Sequence, residues 1–347
     1  MTNKANKNFW KDKKILITGH TGFKGSWLSL ILNLLGAEVY GLSNKKNENF
    51  YQFIEDRNIF KKEYFIDLNI EESSHITKEL EKSEIEIIFH FAAQSLVSVA
   101  YKFPEETIKT NIMGTYKILD FFNSSITTKL LTISTTDKVY KNPSKNNKEE
   151  DMLGFNEFYS FSKFMKENLI KLFSENKLSS NKEINIIRSG NVLGAWDRGE
   201  DRILTDYFDS FKNEKEIILR NPNSVRPWIH VFDSLNGYLL SSEYCYENRT
   251  SEIFNLSSDA KQTTVSELLN EFDNQLNKKV MSITTETSDL IETDILKIDS
   301  TKAKDVLNWE AEIDINNLAK LVSEVEKNNP RDIFDTAERQ ITNYFNL

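Results

Sequence analysis

Residues 13–19 (KKILITG) make an apolar run closed by glycine, the pattern of a strand buried on both faces. Leu28, Ile31, Leu32 and Leu35 then recur at i, i+3, i+4 and i+7, which predicts a helix over 23–35 that Gly36 stops. The same two signals alternate onward. Strands are predicted at 38–43, 63–68, 85–93, 129–135 and 183–191, and helices at 70–82, 105–122 (opened by Pro104) and 159–176. Strand and helix in turn imply an α/β fold, a doubly wound parallel sheet with helices on both faces. After Asn191 the alternation loosens. Short strands at 217–220 and 253–256 mix with helices at 231–246, 264–276 and 315–326, read as a smaller mixed α/β lobe. The domains are therefore expected at 1–190 and, mainly, 191–347, with segments free to interleave.

Composition narrows the function. The net charge of −9 and the lack of a basic domain argue against nucleic-acid binding. The longest apolar stretch, 27–35, is interrupted by Ser29 and Asn33 and falls short of the roughly 20 residues a bilayer span needs. Residues 2–14 are polar and lysine-rich, without the apolar core of a signal peptide. The single cysteine, Cys245, excludes an intrachain disulfide and fits a reducing compartment, so a cytoplasmic protein without a membrane partner is expected. His20, His75, His90 and His230 are scattered without ligand spacing, and no metal site is expected.

Candidate chemistry falls at the ends of the strands. Gly19, Gly22 and Gly25 lie between the first strand and first helix, where glycines allow a tight turn and the helix N-terminus offers N–H groups to a pyrophosphate. Asp67, closing the third strand, is either an adenine contact or a turn residue. The fifth strand runs into Ser134-Thr135-Thr136-Asp137-Lys138, placing a hydroxyl, a carboxylate and an amine where an open α/β sheet has its ligand crevice. A polar capping loop would explain the same residues. Tyr159 and Lys163, four apart at a helix start, share a face, and a nearby ammonium would lower the phenol pKa for proton removal. About one Tyr-x-x-x-Lys is expected by chance in this composition; the motif gains value from following strand five.

These residues together resemble the extended short-chain dehydrogenase/reductase family, and more closely its CDP-glucose 4,6-dehydratases. The carrying segments span nearly the whole chain: ITGHTGFKGSWL (17–28), FHFAAQSLV (89–97), TNIMGTYKILD (110–120), STTDKVYKN (134–142), YSFSK (159–163), RSGNVLG (188–194), EDRILTD (200–206) and LRNPNSVRPWIHV (219–231). The resemblance implies a Rossmann domain that holds the dinucleotide through Gly19, Thr21, Gly22, Phe23, Gly25, Asp67, Leu68, Ala92 and Ala93. It implies Tyr159 as the C4 base, Lys163 on the nicotinamide ribose, Thr136 at the C4 hydroxyl and Asp137 as the acid at C6. Lys138 stands where related dehydratases carry a glutamate base, and is expected to take the C5 proton. Gln94, Asn191, Arg202, Arg220 and Arg226 would meet the nucleotide sugar, and a homodimer would pair helices 105–122 and 159–176.

Five of the nine arginines (Arg188, Arg198, Arg202, Arg220 and Arg226) lie within 188–226, independent support for an anionic, phosphate-bearing substrate. The cofactor is ambiguous from residues alone. The second strand ends Ser43-Asn44-Lys45-Lys46 without the expected acid, which favours NADP on the plain rule. The resemblance implies NAD, since similar enzymes also lack that acid and a dehydratase regenerates its cofactor each turnover. The sequence departs from the family's pattern at Ser98, at Phe158 before the tyrosine, and at GAWDRGEDR (194–202). Other readings are a dehydratase of another nucleotide hexose, a 4-epimerase, or a non-catalytic dinucleotide sensor.

Overall fold

The computed structural model describes residues 2–47, 49–67, 74–199, 201–219, 221–258, 263–280, 282–284 and 295–347. The first apolar run forms β1 (Lys14–Thr18), an interior strand of a seven-stranded sheet. Its partners are β2 (Glu38–Ser43), β3 (Phe60–Phe65), β4 (Ile87–His90), β5 (Leu130–Ser134), β6 (Glu183–Ser189) and β7 (Glu252–Leu256), in the order β7-β6-β5-β4-β1-β2-β3. All neighbours are parallel. The chain builds outward from β1 to β3, then returns to build β4 to β7 on the other side. The crevice between β1 and β4 is the switch point at which such sheets bind ligands.

Alternate residues of β1 feed two cores. Ile15 and Ile17 face one side with Phe89 and Ile187; Leu16 faces the other with Ile88, Ile118 and Ile133. Each such fully buried aliphatic stabilises the fold by about 1.5–3 kcal/mol before entropy is counted. The first core is covered by α1 (Phe23–Leu34), the second by helices that include α2 (Ser74–Lys82), α5 (Gly114–Ser124) and α6 (Phe158–Asn176).

Several expectations change. The third strand lies at 60–65 and not 63–68, because its register is set by pairing with β2, Val39 opposite Phe60 and Ser43 opposite Phe65. The helix expected at 105–122 is preceded by α3 (Val97–Lys102) and divided into α4 (Pro104–Ile108), a π-helical turn (Lys109–Met113) and α5. The strand near 253–256, expected in the smaller lobe, is β7 at the sheet edge, where Asn185 to Ser189 of β6 supply its pairing. Helix α8 (Val231–Asn248) likewise packs on the sheet: Asn185 and Thr132 bond Ser241 and Ser242.

The remaining C-terminal part carries α7 (Ile203–Asn213), α9 (Val265–Leu276), α10 (Thr301–Leu307), α11 (Ile315–Lys327) and α12 (Ile333–Phe345). Short two-stranded pairings accompany them: Ile217–Leu219 with Ser282–Thr284, and Val225–Arg226 with Thr263–Thr264. Among the described residues no helix is long and apolar enough to cross a membrane.

Candidate active site

Two adjoining cavities occupy the crevice. The first is built by the glycine loop. Gly19 has φ +76°, and a Cβ there would lie 2.7 Å from the Ala92 nitrogen. At Gly25 a Cβ would lie 2.1 Å from the Gly19 carbonyl oxygen. Loop, helix and β4 end therefore meet backbone to backbone, and only glycine permits it. Gly22 caps α1 without a side-chain hydrogen bond, so the loop presents the helix N-terminus to the crevice. Gly19, Thr21, Gly22, Asp67 and Ala92 line this cavity. Thr21 donates to the Lys45 carbonyl (2.8 Å) and accepts from Asn47 (2.8 Å), fixing the turn after β2. Lys46, one of the two lysines that suggested NADP, is paired with Glu55 at 2.8 Å. Leu68 lies outside the described residues. His20, in the loop, is buried between Ser43 and Glu63, and His90 between Thr18 and Thr115. Both imidazoles are buried, and His90 also borders this cavity.

Phe91 and Ala93 line this cavity and the next one, which joins the loop to the ends of β5 and α6. Phe23, Thr136, Asp137, Lys138, Tyr159 and Lys163 all border the second cleft. Local structure explains the convergence. Thr136 accepts from the Lys138 nitrogen (3.3 Å), turning the chain sharply as it leaves β5. Glu157 caps α6 by accepting from the nitrogens of Tyr159 (2.5 Å) and Ser160 (2.7 Å), which sets Tyr159 in the first turn. One turn on, the Lys163 ammonium lies 5.6 Å from the centre of the tyrosine ring.

Electrostatics differ from the expectation at the tyrosine. Burial pushes the Tyr159 phenol up to about 12; hydrogen bonding with Thr136 and the charge of Arg202 act against it. The charges acting most on the phenol are those of Arg202 and Asp137; burial pushes the Lys163 ammonium itself down to about 8. Asp137 is raised above the usual carboxylate range, again by burial, with Lys138, Thr136 and Arg226 opposing. Its Oδ1 accepts from Thr136 (3.0 Å), while the buried Oδ2 has no hydrogen-bond partner among the described residues. A carboxyl in that setting holds its proton more readily than a solvated one.

The arginine cluster separates into two kinds. Arg202 and Arg226 border the cleft with Asn191; Arg202 also reaches Ser95 (3.2 Å) and lies 3.6 Å from Asp197. Arg188 instead is buried behind the site, paired with Glu167 (2.6 Å) and donating to Tyr140 (2.8 Å). Arg198 pairs with Glu326 at 2.5 Å. Arg220 lies outside the described residues. Gln94 does not reach the cleft: its amide accepts from the Leu96 nitrogen and donates to the Leu96 carbonyl and Thr107, bracing the turn that follows β4.

Three residues escaped the sequence reading. Asn111 sits in the π turn, bonds the Gln94 backbone in both directions and donates to Ser162 (2.9 Å), tying the β4 turn to α6. Asp197 borders the cleft, and burial raises it above the usual carboxylate range. Lys24, in the first turn of α1, lines the cleft wall. A cation at a helix N-terminus runs against the macrodipole, which was the available signal.

A model of the GDP-mannose 4,6 dehydratase family matches residues 16–322. The chain belongs to this family. Within it, the chain is 32% identical over 316 residues to a CDP-glucose 4,6-dehydratase of Salmonella typhimurium, covering 87% of each chain. It is 28% identical to a putative UDP-glucose 4-epimerase of Methanocaldococcus jannaschii, covering 91% of this chain and 99% of that one. Solved structures with the same fold include a UDP-glucuronic acid 4-epimerase of Bacillus cereus in complex with UDP-glucuronic acid and NAD (TM-score 0.79, 19% identity, 90% of this chain and 99% of that). Another is a UDP-glucose 4-epimerase of Stenotrophomonas maltophila with bound NAD and a formylated UDP-arabinopyranose (TM-score 0.77, 18% identity, 95% and 99%).

Proposed function

We propose that this family member is an NAD-dependent nucleotide-sugar 4,6-dehydratase, converting CDP-D-glucose to CDP-4-dehydro-6-deoxy-D-glucose and water. The observation that carries the reading is Asp137, a carboxyl biased toward protonation with one oxygen unpartnered at the cleft, beside Tyr159. An acid there serves departure of the C6 hydroxyl; a 4-epimerase has no task for it or for Lys138.

The loop fits a dinucleotide because a Cβ at Gly19 or Gly25 would fill the space in which backbone meets backbone. Lys163, whose ammonium has no hydrogen-bond acceptor among the described residues, fits a ribose diol. When bound, the dinucleotide supplies a two-electron acceptor that takes hydrogen from C4 and gives it back at C6. Tyr159 accepts the C4 hydroxyl proton, which requires its phenol to ionise against burial, with Thr136 and Arg202 helping. The resulting ketone acidifies C5. Lys138 takes the C5 proton while Asp137 protonates the C6 hydroxyl, which leaves as water. A proton returned to C5 completes the product. Asn191, Arg202 and Arg226 hold the pyrophosphate and nucleotide, with residues 191–347 contributing most of that lobe and residues 1–190 the dinucleotide domain. The protein acts as a homodimer through the packed helices of 104–124 and 158–176, on which Met113, Phe158 and Leu172 are exposed.

The test is incubation with CDP-glucose and NAD in heavy water. The expected product is one water lighter and carries one deuterium at C5. A C4 epimer of unchanged mass would replace this reading with the epimerase one, and no turnover of CDP-glucose would move the search to other nucleotide hexoses.

A further inference from the structure

Lys24 belongs to no step described above, yet it is placed at unusual cost. Its ammonium donates to Ser134 Oγ (2.8 Å) and the Tyr238 hydroxyl (3.2 Å), and Tyr238 in turn donates to Ser134 (2.8 Å). The Phe91 and Tyr238 rings lie 5.4 and 5.2 Å from it. Among the described residues no carboxylate forms an ion pair with it. Two further lysines converge on the same strand end: Lys166 donates to the Ser134 carbonyl (3.3 Å), and Lys163 repels both. Burial and the charges of Lys163 and Arg202 push the Lys24 ammonium down to about 7, with only Asp197 opposing. It also sits in the first turn of α1, where the helix dipole disfavours a cation. Stability alone would not select a lysine here: an apolar side chain could pack against Phe91, and Ser134 and Tyr238 already bond each other.

The cleft that Lys24 lines also holds Tyr159 and Lys163. Proton and hydrogen must leave the same C4–OH group, so the redox-active ring has to lie within this cleft. That ring is cationic when oxidised and neutral when reduced. We propose that Lys24 is a positioning residue that poises the cofactor electrostatically, its positive charge disfavouring the oxidised ring relative to the reduced one and so favouring withdrawal of hydrogen from C4. The inference rests on the NAD-dependent reading above.

Dissociation constants of the full-length protein for NAD and NADH, measured separately on the acid side of neutrality for wild type, Lys24→Gln and Lys24→Arg, test it. Gln keeps a hydrogen-bond donor for Ser134 and Tyr238 but removes the charge; Arg keeps the charge. The expected result is that K24Q shifts the preference toward NAD by about tenfold, the scale of one partly screened charge interaction, while K24R stays within about twofold of wild type. A melting curve on each variant separates unfolding from altered preference. If K24Q binds both forms with the wild-type ratio, the proposal is overturned and Lys24 is a hydrogen-bonding strut. Wild type that binds neither form would overturn the NAD reading itself, a distinct outcome.

Discussion

The two cavities of the crevice are shaped by different physics. The glycine loop is steric: at Gly25 an added methyl would meet a carbonyl oxygen at 2.1 Å. The cleft at the ends of β5 and α6 is electrostatic. Asp137 and Tyr159 are pushed up and Lys24 and Lys163 down, burial being the leading cause for each. The first kind of site is written in residue type and spacing. The second depends on how deeply each group is set and what else is buried beside it, which no local motif records.

The largest effects should come from the electrostatic side. Tyr159→Phe and Asp137→Asn should each lower kcat by about 10²–10⁴-fold, the range for losing a positioned acid or base. They should differ in kind. Y159F stops the first oxidation, whereas D137N leaves it intact, so reduced cofactor should accumulate in a single-turnover absorbance trace. No accumulation with D137N would show that Asp137 acts before elimination. On the steric side, Gly25→Ala should destabilise by about 1–3 kcal/mol or prevent folding. Gly22→Ala, where the added carbon would sit 3.2 Å from the Gly19 carbonyl, should be much milder. Equal melting temperatures for the two variants would remove the steric account.

A smaller effect crosses the comparison. Lys163 has a folded-state value of about 8, below its ordinary 10.5. A depressed value means that its contribution to stability is present above about pH 10.5 and lost as pH falls through about 8. Lys163→Met should therefore raise the melting temperature of the cofactor-free protein near neutrality by a few degrees, about 1 kcal/mol, with the gain vanishing at high pH. A gain independent of pH would point to packing instead.

Much of the sheet was legible because its central strands are buried on both faces. The run of 38–43 is a strand with those bounds, and 13–19 frames Lys14–Thr18. The edge strand was not. FKKEYF (60–65) has only Tyr64 buried, so its sequence lacks an apolar run and its place is set by β2. The π turn at 109–113 has no local signature either; it is defined by where Asn111 points. At the site, Thr136, Asp137, Lys138, Tyr159 and Lys163 were visible as residue types at strand and helix ends. The arginine cluster misled at Arg188, because proximity in sequence does not say which face of β6 a side chain leaves; Glu167 on α6 claims it. Lys24 went unread because its significance lies in the company of Lys163, Lys166 and Ser134, residues more than a hundred positions away.

The central claim is that one site oxidises C4, eliminates water and returns the same hydrogen to C6. CDP-glucose carrying deuterium at C4, turned over in ordinary water, tests this most directly. The account predicts a dehydrated product with that deuterium at C6. Deuterium retained at C4 of an epimerised sugar, or lost to solvent, would contradict it.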